Sequence, residues 1–112
     1  MALHITHGQY LVSSQSVTND YLSNPVDVSG DSEGYLFIES SGVSGTWAAT
    51  IQVRNPKTGV WHNRTDISIT NITAAGNQLV KLTSPLGSSM RINLLEASAG
   101  AGTFTVVFEG KS

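Results

Sequence analysis

From Trp47 to the C-terminal residues this chain alternates apolar and polar side chains with a period of two, broken only where turn residues intervene. Trp47, Ala49, Ile51 and Val53 fall in one phase, and Thr46, Ala48, Thr50, Gln52 and Arg54 in the other. Near the end, Phe104, Val106 and Phe108 alternate with Thr103, Thr105, Val107 and Glu109. A two-residue period places successive side chains on opposite faces of a sheet, so that one face is buried and the other wet. No stretch keeps a helical period over the ~10 residues a helix needs. The chain is therefore expected to be all-β, a single antiparallel β-sandwich without substantial helix.

About eight short strands separated by turn signals suit that architecture. They are expected at 5–12, 17–22 (with 25–28 continuing or pairing nearby), 35–39, 46–54, 60–62, 67–72, 79–83, 90–96 and 103–109, the count depending on the short run at 60–62. In Asn55-Pro56-Lys57-Thr58-Gly59 the Asn opens a turn, Pro presets φ, and Gly59 can take the left-handed conformation that closes a hairpin. Ala75-Gly76-Asn77 and Ser84-Pro85-Leu86-Gly87 read as further tight connections, and 97–102 as a small-residue loop. Residues 1–14 read as an N-terminal arm or edge strand, and 15–112 as the sandwich itself.

The 112 residues are enough for one core and not for two. Only 12% are charged, the net charge is −2, and Ser, Thr, Asn and Gly fill the difference. Six Lys and Arg, scattered rather than clustered, leave no electrostatic footprint for nucleic acid. The absence of cysteine excludes disulfides and thiolate metal sites. No apolar run approaches the roughly 18 residues that span a bilayer. The first residues lack a basic region followed by a long apolar core, so synthesis in a cytoplasm is expected.

Catalytic and metal chemistry find little to stand on. His4 and His7 point to opposite faces of a strand and His62 is remote, whereas zinc needs three or four convergent ligands. Asp27, Ser29, Asp31 and Glu33 carry oxygens at alternate positions, but Gly30 sits fourth and not sixth, which suits a solvated acidic turn better than a calcium loop. No Gly-x-Ser-x-Gly elbow occurs, Ser88 and Ser89 follow an ordinary turn, and Glu39, Glu96 and Glu109 show no convergence. A non-enzyme without cofactor is expected. Trp47 shares the apolar phase of its strand and belongs in the core. Trp61 follows a hairpin turn and is the residue on which a carbohydrate-binding reading would rest. The glycosylation sequons at Asn63 and Asn71 carry little weight without a secretory leader.

Two places break the alternation. Tyr35-Leu36-Phe37-Ile38 is apolar in both phases, and Leu94-Leu95 repeats this on a smaller scale. Either the strand at 35–39 is covered on both sides within the chain, or one of its two pairs lies in an intersubunit contact.

The stretches Ser44-Gly45-Thr46-Trp47, Asn55-Pro56-Lys57-Thr58-Gly59-Val60-Trp61, Met90-Arg91-Ile92-Asn93-Leu94 and Gly102-Thr103-Phe104-Thr105-Val106 resemble the small all-β virion proteins of tailed bacteriophages. The likeness lies in hydroxyl-rich strands, Gly-led hairpins, an Arg in a late strand and no cysteine. It implies a jelly-roll-like sandwich that decorates and cements the outside of a capsid, with the major capsid protein as partner. It also implies a homo-oligomer, a trimer being favoured, located in the virion and made in the host cytoplasm. Edge strands and an extended arm suit β-augmentation of such a shell. Leu3, Ile5 and Tyr10 in the arm, with Tyr35 and Phe37, are the expected contact residues. Competing expectations are a carbohydrate-binding or host-recognition module centred on Trp61, and a tail, neck or fibre-base protein.

Overall fold

The computed structural model describes residues 6–83, 86–97 and 100–111. Among them the chain forms nine strands and no helix: β1 (Thr6–Val17), β2 (Tyr21–Leu22), β3 (Val26–Asp27), β4 (Glu33–Ser44), β5 (Trp47–Arg54), β6 (Trp61–Asn63), β7 (Gly76–Thr83), β8 (Ser89–Glu96) and β9 (Ala101–Lys111). Short β2 and β3 pair with successive stretches of β8, at Leu94–Asn93 and at Met90–Ser89, so they share one lane. Between them Ser23 N–H donates to the Ile92 carbonyl, while Ile92 N–H donates to the Ser23 hydroxyl rather than to a main-chain oxygen. Pro25, which has no N–H to give, follows two residues on. The break in the lane is local chemistry on an edge strand.

Seen this way, the antiparallel pairs nest: β1 with β9, β2 and β3 with β8, β4 with β7, β5 with β6. The ribbon then winds up, so that β4 also meets β9 and β5 also meets β8. One sheet runs β1-β9-β4-β7, and the other runs β2-β8-β5-β6 with β3 on β8. This is jelly-roll winding, two sheets closed face to face as a β-sandwich. Apolar residues of both inner faces fill the gap. Leu36, Ile38, Leu82, Phe104, Val106 and Phe108 come from the four-stranded sheet, and Trp47, Ile51, Met90, Ile92 and Leu94 from the other. Trp47, expected in the core, is fully buried. Its ring meets Phe104 of the opposite sheet edge-on, with centroids 5.2 Å apart and planes at 63°.

The turn at Asn55 follows the expected chemistry. The Asn55 side-chain oxygen accepts from the N–H groups of Lys57 and Thr58, Asn55 N–H donates to the Val60 carbonyl, and Gly59 has φ of +75°. Elsewhere the structure differs from expectation. Gly76 and Asn77 begin β7 rather than forming a turn, and 18–20 are not strand. Ser84 and Pro85 of the next expected turn lie outside the described residues, as do Ser98 and Ala99 of the small-residue loop. The loop's Gly100 packs closely, since a Cβ there would lie 2.1 Å from the Ser44 carbonyl oxygen. Asp31, expected to be solvated, is half-buried, and a Cβ on Gly110 would strike its carboxylate. β1 is longer than expected and irregular. Its register slips between Tyr10 and Val12 and again between Val12 and Gln15, with Ser14 at φ of 47°. The first slip buries Leu11 and Val12 together, which is why the alternation is loose there.

The clearest difference concerns 67–72, expected as a strand. Ile72 alone makes a bridge, exchanging both main-chain hydrogen bonds with Trp47. At Thr70 the Gln78 side chain takes the place of a neighbouring strand, donating to the Thr70 carbonyl at 2.8 Å and accepting from its N–H at 3.1 Å. Apolar residues at 67, 69 and 72 still pack on the core, so the spacing correctly marked burial and not a ladder.

Arg64 anchors the start of this segment. It is buried, its N–H donates to the Ile51 carbonyl, one guanidinium nitrogen donates to the Thr83 carbonyl at 3.1 Å, and two more grip the exposed Asp66 carboxylate at 2.8 and 2.7 Å. Bidentate, charge-assisted geometry of this kind is the strong form of an ion pair. The guanidinium hydrogen bond holds the Asp66 carboxyl below the usual carboxylate range. A carboxyl lowered by folding contributes stability that is present above its unfolded pKa and lost as pH falls through the folded value. Acid unfolding monitored by circular dichroism should therefore show a component of stability lost below about pH 4 that Asp66→Asn abolishes. Equal acid sensitivity in both proteins would contradict it.

Candidate interaction face

Strand pairing puts the outward side chains of the four-stranded sheet in rows that cross its strands. One row is apolar from edge to edge. Tyr10 pairs with Val107, Val107 with Phe37, and Phe37 with Leu79, so the row spans β1, β9, β4 and β7. Tyr10 is 64% exposed, Leu79 61% and Phe37 39%, and Val107 is half-buried between its neighbours. On one side lies the row Gly8, Glu109, Tyr35 and Lys81, with Tyr35 44% exposed. Beyond it Glu33 and Lys111 form an ion pair at 3.7 Å. On the other side Thr105, Glu39 and Asn77 make a polar row. A depression of about 290 Å³ opens beside Tyr35, bounded by Lys81, Glu109, Glu33 and Lys111.

This arrangement decides which pair of the doubly apolar strand is exposed. Leu36 and Ile38 point into the core, while Tyr35 and Phe37 point out and are exposed. Of the five expected contact residues, Tyr10, Tyr35 and Phe37 come together on this face although 25 residues separate the first two in sequence. Leu3 and Ile5 lie outside the described residues. Val107 and Leu79 were missed. Their signal was present, because Val107 is an apolar residue in the wet phase of an otherwise regular strand and Leu79-Val80 is a further doubly apolar pair. What sequence could not supply was the register that lines them up.

The outer face of the other sheet has a different character. Gln52 donates to Asn63 at 2.9 Å and accepts from Arg91 at 2.7 Å, and the Arg91 guanidinium lies 4.1 Å over the Trp61 ring. One face of the half-buried Trp61 is thus already taken by a cation. Leu95 is exposed here while Leu94 is core, which answers the smaller doubly apolar pair. Among the described residues no three His, Asp or Glu side chains gather as metal ligands. Asp27, from the candidate calcium cluster, uses a carboxylate oxygen to accept from the Ser29 N–H and hydroxyl.

Comparison of the sequence with protein-family models and with curated proteins finds no match.

The sheet geometry makes a direct prediction about the two phases of β4 and its neighbours. Leu36→Ala should cost about 2–5 kcal/mol of unfolding free energy by denaturant titration. Leu79→Thr, on the outer face, should change it by less than about 0.5 kcal/mol in dilute solution. Comparable losses would mean that the outer row is structural.

Proposed function

We propose that the chain is a structural virion protein that assembles on the outside of a phage capsid as a decoration or cement protein, with the major capsid protein as partner and copies of itself as neighbours. The observation that carries the assembly part of the reading is the apolar row crossing the outer face of the four-stranded sheet. A sandwich that closes its own core has no internal need of it, and contiguous exposed apolar surface marks an interaction site. The jelly-roll winding and the resemblance to small phage virion proteins point the same way. Contact with the shell is assigned to the segment before β1, including Leu3 and Ile5, and to the sheet edges at β1 and β7, where strand addition is available.

In particles purified from infected host cells, the chain should copurify with the major capsid protein at a fixed ratio, and its absence would overturn the virion reading. Deletion of residues 1–5 should abolish binding of the purified chain to such capsids while circular dichroism and thermal melting stay unchanged. Unaltered binding would remove Leu3 and Ile5 from the contact. The deletion cannot extend to residue 12, because Leu11 and Val12 belong to the core.

A further inference from the structure

We infer that the outer face of the four-stranded sheet docks on the same face of a second copy of this chain, about a two-fold axis parallel to the strands and passing between β9 and β4. The inference rests on the reading of that face as an assembly surface and names its occupant.

A two-fold contact is isologous, so a face must complement itself. An axis along the strands keeps the rows in register and reverses the strand order, bringing β1 opposite β7 and β9 opposite β4. Tyr10 then faces Leu79 of the second copy, and Val107 faces its Phe37. Large side chains meet smaller ones across the whole apolar row, as interdigitating sheets require. In the adjoining row Lys81 faces Gly8, which has no side chain, and Tyr35 faces Glu109, so that a phenol hydroxyl can donate to a carboxylate. Glu33 and Lys111 carry both signs in the next row, and no strip of like charge confronts itself. The depression beside Tyr35 offers room for the second copy's Tyr35, which arrives over Glu109.

The extent of the surface agrees. Four lanes about 4.8 Å apart, followed for the length of β9 from Thr103 to Lys111 at about 3.4 Å per residue, give a face of roughly 20 by 30 Å. That is on the order of 600 Å² per copy and about 1,200 Å² in all, the lower end of specific interfaces. On the opposite face of the sandwich, the network of Gln52, Asn63, Arg91 and Trp61 pairs polar groups with one another, in contrast to the apolar row.

Sedimentation equilibrium of the full chain at about 100 µM, above the micromolar Kd of weak interfaces of this size, should give about twice the monomer mass of 11.8 kDa. A monomer or a trimer would overturn the proposal. Phe37→Asp and Val107→Lys should each weaken the dimer at least about thirtyfold, the scale of an interface hot spot, with unchanged circular dichroism; an unaffected Kd in both would overturn it. The two variants mixed in equal amounts should re-form a dimer. The aspartate introduced in one copy then faces the lysine introduced in the other, while the remaining Phe37 and Val107 pair as in the native contact. Failure to recover would exclude this axis, since a two-fold across the strands lays each strand on its own counterpart and keeps the two new charges apart. A dimer that does not associate with capsids would overturn the virion reading alone, and a monomer that does associate would overturn the pairing alone.

Discussion

Trp47 is the point on which the two sheets turn. Its indole N–H donates to the Ser44 carbonyl at 3.1 Å, its main chain exchanges both hydrogen bonds with Ile72, and its ring meets Phe104 from the other sheet. A fully buried indole must satisfy its one donor or bear the cost of desolvating it. Here the acceptor lies just before the corner at Gly45, where φ is +75° and the chain crosses from β4 in one sheet to β5 in the other. The same residue therefore fixes the corner through its indole, ties down the irregular segment after Arg64 through its main chain, and spaces the layers through its ring. The inner faces of β4, β8 and β9 pack around a gap whose width this contact defines.

Much of the architecture was legible because burial in a sandwich is written locally. Period-two alternation marked β5 to within one residue and the middle of β9, which extends two residues further at each end, and the Asn55–Gly59 turn announced its hairpin by residue type. What was not legible depends on partners distant in sequence. The segment at 67–72 has the spacing of a strand, but a glutamine amide and a single bridge satisfy its backbone, and no local pattern distinguishes those from a ladder. The bulges in β1 blurred a strand that spans twelve residues. The candidate face follows the same rule: Tyr10, Tyr35 and Phe37 stood out individually, whereas Val107 and Leu79 gained meaning only once register placed them between and beside the others.

The two outer faces show how one composition yields two kinds of surface. On the five-stranded sheet, amide, guanidinium and indole groups consume one another's hydrogen-bonding and cation–π capacity. On the four-stranded sheet, the cross-strand partners are apolar in one row and charged or hydroxylated in the next. Cross-strand neighbours lie close enough to interact directly, so a row of like character behaves as one surface. The chain's low charge matters here, because few long ionic side chains are present to cover that row.

The pairing of β1 with β9 sets Thr6 beside Lys111, so the first lane of the sheet obtains its neighbour from the last of the described strands. During synthesis on a ribosome, β1 carries Leu11, Val12 and an unsatisfied hydrogen-bonding edge with no native mate until the final strand emerges. Closing so long a loop is entropically slow, as in other folds dominated by distant contacts. Formation of that sheet is thus a late event in each copy: the sheet that bears the exposed apolar row does not exist until β9 has emerged. The winding of the ribbon therefore keeps that surface from being assembled until β9 is in place.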